Sequence, residues 1–278
     1  MRRALAPALA VAASLASACA PVMKLPAGPG APAVDGQQAL GQAIAVCRTI
    51  STISFQAAVA GSIDGRRIPR ARLLVGLAAP SSARIEAPAP FGAPLFVFAA
   101  RDGDATLLLE RDRRVLEHGR PDAVLDALAG IPLDAPALRL TLTGCLEPFD
   151  QLEARQLGDD WRMIPQAADV AYLHRGSRNA PWQLVALVHG AANGAGEPNG
   201  TRYRAEYRDF LNGLPRTIRL TSVDSNRFDL RLTLSQVDIN VPLDAEAFRV
   251  QIPPSTQPIE LEELRRSGPL GAVRSDGR

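Results

Sequence analysis

Lysine is nearly missing from this sequence: Lys24 is the only one among 31 basic residues, and arginine supplies the rest. Aromatics are sparse, at 5%, and there are three cysteines. The apolar stretch from Ala4 to Ala18 has 15 residues, short of the roughly 20 that a membrane-spanning helix needs. Charge of one sign is lacking too. Once Arg2 and Arg3 leave with the N-terminal leader described below, 29 basic side chains face 29 acidic ones. That balance argues against nucleic acid, because neutralising phosphates takes a basic excess. Signatures of catalysis are also scarce. His118, His174 and His189 share no metal-ligand spacing and no cysteine lies beside them. There is no phosphate loop of P-loop spacing and no Gly-x-Ser-x-Gly elbow. Ser177 near His174 reads as loop, and Asp102 and Asp104 around Gly103 read as a turn. No catalytic residue, metal or cofactor is assigned, and the chain reads as a non-enzyme.

The N-terminus is richer in information. Met1-Arg2-Arg3 is followed by an apolar, Ala-rich stretch to Ala18. A short basic segment before a short apolar one is the pattern of a cleaved signal peptide, here residues 1–18. Leu15-Ala16-Ser17-Ala18-Cys19 resembles the bacterial lipobox, in which the cysteine thiol accepts diacylglycerol. Its Leu stands one residue further from the cysteine than in the commonest version. The alternative is ordinary secretion with Cys19 left as a plain thiol. Residues 19–36 are rich in Pro, Gly and Ala with little charge, so they read as a flexible tether. Two or three acyl chains at its end would anchor the protein stably where one would not. Cys47 and Cys145 remain. An exported compartment permits a bridge between them, worth about 2–4 kcal/mol. The other reading is two buried thiols.

Periodicity places the elements. Leu40, Ala43, Ile44 and Cys47 share one face of a helix over residues 39–50. Ile53, Phe55, Ala57 and Val59 then alternate as a strand, and Asp64-Gly65 signals a hairpin into a second strand at 68–78. Further strands follow at 83–87, 95–100, 106–110 and 113–116. Pro121-Asp122 opens a helix that ends near Gly130; Asp134-Ala135-Pro136 caps another that ends at Gly144. Strands resume at 152–157, 161–165, 171–175, 182–189, 201–210, 215–222 and 228–237, with a Gly/Asn-rich loop at 190–200. Residues 253–278 read as a flexible tail. Many short strands joined by tight turns make an antiparallel meander. The fold class is mainly β (α+β): a curved, unclosed sheet or barrel with covering helices, whose inner face can hold an apolar hollow.

The order of these elements is similar to that of the LolB family, the outer-membrane receptors for lipoproteins, and of the LolA/LolB-like fold more broadly. Three places carry the resemblance: the paired long strands over 55–84; the turn Ala89-Pro90-Phe91-Gly92; and Gly130-Ile131-Pro132 followed by Leu138, Leu142 and Gly144. The run Leu214-Pro215-Arg216-Thr217-Ile218-Arg219-Leu220 also fits. The resemblance implies a lipid-binding domain over residues 37–252. Its partners would be acylated lipoproteins, a periplasmic LolA-like carrier and, through the anchor, membrane lipid. It implies an outer-membrane location on the periplasmic face and makes Phe91 the exposed apolar residue of a membrane-insertion loop. A Phe folded back onto the sheet is the plainer alternative. Candidates for the cavity lining are Phe55, Leu95, Phe96, Phe98, Leu128, Ile131, Leu138 and Leu142, all of which would serve equally as core. Two arginine runs, Arg66-Arg67 with Arg70 and Arg111 with Arg113-Arg114, read as solvated turns, with anionic headgroups as the sharper alternative. A carrier or sensor of another hydrophobic ligand and a structural envelope lipoprotein remain as competing functions.

Overall fold

Alternating sequences of this length must hide one face of each strand, and a meander does so by curling over its own helices. The computed structural model describes residues 22–146, 152–166, 169–190, 202–223 and 227–267. The strands are β1 (Ala31–Pro32), β2 (Thr52–Ile63), β3 (Arg66–Ala78), β4 (Ser82–Ala87), β5 (Phe96–Arg101), β6 (Asp104–Leu109), β7 (Arg114–Gly119), β8 (Arg155–Gln156), β9 (Trp161–Gln166), β10 (Asp169–His174), β11 (Gln183–His189), β12 (Tyr203–Arg208), β13 (Thr217–Ser222), β14 (Phe228–Ile239) and β15 (Gln257–Pro258). The helices are α1 (Gly36–Ala43), α2 (Pro121–Ala129), α3 (Ala135–Thr143) and α4 (Leu261–Ser267). Among the described residues these fifteen strands form one unclosed sheet in the order β1-β8-β9-β10-β11-β12-β13-β14-β2-β3-β4-β5-β6-β7-β15. Every pairing is antiparallel except β15 on β7. The expected fold class is the observed one.

Local chemistry explains the helices at the centre of the chain. Pro121 stands at the start of α2, where its missing N–H costs no hydrogen bond. Asp134 caps α3 by accepting from the Ala137 amide at 2.8 Å. Both helices end on a glycine with φ of 70°, Gly130 and Gly144, a conformation that a Cβ would strain. The single helix expected at 39–50 is instead α1 followed by a 3₁₀ turn, Ala45–Thr49. That tighter turn carries Cys47 to Cys145, with Cα atoms 5.3 Å apart in a disulfide that closes a sequence separation of 98.

A long hairpin dominates one side of the sheet. β2 pairs with β14 and β3 over nearly its whole length. β4 is shorter and pairs only with Leu74–Ala78 of β3. Residues 66–73 therefore run on beyond their neighbour. A bulge between Val59 and Gly61 of β2 shifts the register there, so that Val59 faces Ala71 and Gly61 faces Ile68.

Both supposed loose ends are docked for part of their length. Residues 22–36 do not form a free tether: Ala31 and Pro32 pair with Gln156 and Arg155, and the Ala33 amide donates to the Ala154 carbonyl at 2.9 Å. Asp35 takes a bidentate grip from Arg162, at 2.7 and 2.8 Å. The tail expected from residue 253 contributes β15, and α4 packs on α2 with Ile259 and Leu264 buried. Two-residue strands have no periodicity to announce them. Residues 1–21, with the expected signal peptide and Cys19, lie outside the described residues, as does nearly all of the 190–200 loop.

Candidate functional site

The concave face of the sheet is apolar because every strand turns its alternate Leu, Ile, Phe or Ala inward. α2 and α3 lie across it and fill it. Phe55 on β2, Phe96 and Phe98 on β5, Leu128 on α2, and Leu138 and Leu142 on α3 are buried in one continuous cluster, and Ile131 packs on its border. These seven of the eight lining candidates come together as core rather than around an open hollow. Leu95 is the exception. It precedes β5 on the opposite parity from Phe96 and is 36% exposed. Val97, of the same parity, turns to the outer side and packs with Leu108, Val115 and Val250.

Polar ties fasten the two helices at particular points. The disulfide holds the segment just after α3. Arg227 donates to Asp126 of α2 at 2.8 Å. Arg139 of α3 donates to the Ile50 carbonyl at 2.5 Å. Beneath α3, the Tyr203 hydroxyl lies 3.3 Å from Thr141 Oγ1, and Tyr207 donates to the Leu140 carbonyl at 3.4 Å. Burial pushes the Tyr203 phenol up to about 12 and drives Tyr207 well above the ordinary value. Tyr172 is raised as well, again mainly by burial. A folded state that holds these protons loses stability as pH climbs past the ordinary value of 10.0. Titration followed by tyrosinate absorbance should therefore show Tyr203 and Tyr207 silent through the ordinary tyrosine range and ionising only above it or on unfolding. Normal titration of both near pH 10 would mean that water already fills the concave side.

Phe91 is 94% exposed at the tip of the β4–β5 connection. The alternative of a ring folded back onto the sheet is thus corrected: Pro90 and Gly92, with φ of 78° at the glycine, turn the chain outward. The meander places this loop on the same rim as the β2–β3 hairpin and the β6–β7 turn.

The histidines serve separate places. His118 pairs with Asp104 at 3.2 Å, His174 lies against Trp161, and His189 contacts Asp169 at 2.6 Å and stacks on Tyr203. Of the two arginine runs, Arg114 is absorbed into structure, donating to the Pro258 carbonyl and to Glu263. Sequence reasoning missed Arg162, a buried cation whose partner Asp35 is 127 residues away. It also missed Glu206, buried on the outer face under Met23. No local signal marks either. Among the described residues no helix is long and apolar enough to cross a membrane.

No protein-family model matches the sequence. No curated protein matches it either. Solved structures do. A LolA superfamily protein from Nitrosomonas europaea superposes with a TM-score of 0.54 at 11% identity, over 78% of this chain and 99% of that one. The Mycobacterium tuberculosis lipoprotein LppX is a looser match, with a TM-score of 0.31 at 10% identity over 75% and 97%. Sequence identity this low leaves architecture as what is shared: an unclosed sheet covered by helices, similar to that of the Nitrosomonas europaea protein.

Proposed function

We propose that this is a LolB-like lipoprotein, acylated on Cys19 and held on the periplasmic face of the outer membrane, that receives acylated lipoproteins from a LolA-like carrier and passes them to the bilayer. It binds and transfers, and it catalyses no reaction. The observation that carries the reading is the cover over the apolar concave face: two helices of nine residues each, fastened by one disulfide and a few polar ties. If α2 lifts from the sheet, acyl chains replace its Leu side chains there, hydrocarbon for hydrocarbon, at little net hydrophobic cost. Phe91 then serves as the wedge that enters lipid. Likeness to a LolA superfamily fold supports the scaffold for such a role.

Two measurements test it. Native mass spectrometry of protein purified without detergent should show bound acylated peptide. Phe91→Glu should leave the melting temperature unchanged and slow delivery of lipoproteins to membranes. Losing a Phe contact with lipid costs about 2 kcal/mol, roughly a thirtyfold drop in rate. Delivery at the parent rate would remove the loop from the mechanism. The filled interior favours a second reading, a structural envelope lipoprotein. Purification in a defined multi-protein assembly, always without ligand, would support that instead. A carrier of another lipid would declare itself by the mass of what it holds.

A further inference from the structure

The charge balance of the whole chain hides an asymmetry that the fold creates. Inward-facing Ile63 and Gly61 of β2 pair with Arg66 and Ile68 of β3, whereas inward-facing Val59 and Ala57 pair with Ala71 and Leu73. The bulge between these stretches corrects the parity, so that Arg67, Arg70 and Arg72 all point from the outer, convex face. Register extends this face across the neighbouring strands. One row runs Arg204, Thr221, Asp229, Ser62, Arg67. The next runs Glu206, Arg219, Arg231, Ala60, and the third Arg208, Thr217, Thr233, Ala58, Arg72. Seven arginines thus share a surface with two carboxylates, Glu206 and Asp229, and Asp209 lies at its margin. Glu206 is occupied by Arg204 and Arg208, and Asp229 by Arg219. At the far end Arg67, Arg70 and Arg72 are exposed, and their side chains make no ion pair or hydrogen bond among the described residues.

The N-terminal segment is pinned to this same face. The Met23 amide donates to both oxygens of Glu206, each at 3.0 Å, and Arg204 donates to the Met23 carbonyl. Cys19 is four residues away, a reach of at most about 14 Å. β12, where Met23 is held, stands four strand spacings from β3, roughly 19 Å. An acyl anchor leaving from Met23 brings the bilayer to the convex side, where the unpaired arginines are. The Phe91 loop leaves β4 beside the free edge of β3, since Glu86 pairs with Leu74 and Ala87 ends the strand.

We propose that the convex face around Arg67, Arg70 and Arg72 is the membrane-facing side of the protein and docks on anionic phospholipid headgroups. The anchored segment at Met23 sets the orientation, and the concave side is left turned toward the periplasm. The orientation rests on the Cys19 anchor proposed above; the arginine surface does not.

The test uses the full chain carrying Cys19→Ser, which removes the acyl anchor, floated with vesicles of phosphatidylcholine alone or with added phosphatidylglycerol. Binding is expected only with phosphatidylglycerol and should be lost at high salt. Each arginine near an anionic surface contributes roughly fivefold, so R67Q/R70Q/R72Q should bind roughly a hundredfold more weakly. These three residues are exposed, and an unchanged near-UV circular dichroism spectrum will confirm the fold of the variant. Equal binding by parent and variant, or equal binding to both kinds of vesicle, overturns the proposal. So does binding of poly-glutamate in preference to vesicles, which would assign the surface to an acidic protein partner. The mass of the unsubstituted chain recovered from cells reports separately whether Cys19 is acylated, so a failed anchor and a failed surface give different results.

Discussion

Replacing Cys47 and Cys145 together by alanine is expected to lower the unfolding free energy by about 4 kcal/mol. The bridge closes a sequence separation of 98, and the chain entropy it removes from the unfolded state grows with the logarithm of that loop. Its place matters beyond stability. It ties the residue after α3 to the 3₁₀ turn before β2, so one end of the helical cover cannot leave the sheet while it is intact. Urea denaturation of the oxidised protein and of the double variant gives the difference directly. Midpoints that agree within error would mean that the reduced chain already keeps its ends together when unfolded. Dithiothreitol should reproduce the loss in the parent and leave the variant unaffected.

Arg162→Ala is expected to cost about 3 kcal/mol, because it strands Asp35 without its partner and removes a buried guanidinium from several bonds at once. Arg162 is 4% exposed. It grips Asp35 with two nitrogens, donates to the Trp161 carbonyl at 2.8 Å, and lies 4.7 Å from the Trp182 ring centroid. Arg175 covers the same ring at 4.5 Å. The Arg162 hydrogen bonds hold the Asp35 carboxyl below its ordinary value of 3.8, against the opposing effect of burial. A lowered carboxyl favours the folded state above that value, and the benefit disappears as pH falls through the folded one. The parent and Arg162→Ala should therefore differ most above the ordinary carboxyl value of 3.8 and draw closer as pH falls below it. Thermal melts across that range measure it. A difference independent of pH would place the cost in lost packing against Trp182. The double variant Asp35→Asn/Arg162→Met should be less destabilised than the sum of the single changes, since neither charge is then left alone.

Much of this architecture was legible residue by residue. Ile53, Phe55, Ala57 and Val59 alternate because β2 is buried on one side only, and the Pro, Asp and Gly punctuation around α2 and α3 marks their ends within a residue or so. Cys47 and Cys145 were left over once Cys19 was set aside, but spacing could not say whether they meet. Three kinds of information were not local. β1 and β15 are two residues each and pair with strands over a hundred residues away, so no period betrays them. Arg162 reads as one more surface arginine until Asp35 arrives from the other end of the chain. The convex arginines read as separate turns because only the register, with its bulge, puts Arg67, Arg70 and Arg72 on one side. The concave face was read correctly as apolar, yet whether helices or ligand fill it depends on volume, which a hydrophobic pattern does not encode.

The short pairings that the termini make with β8 and β7 carry a practical consequence. A gene trimmed to begin after residue 33 or to stop at 253 would discard β1 or β15 and strip a row of amides and carbonyls of its mates. Edge-to-edge association of such shortened fragments is therefore the expected failure of a minimal version.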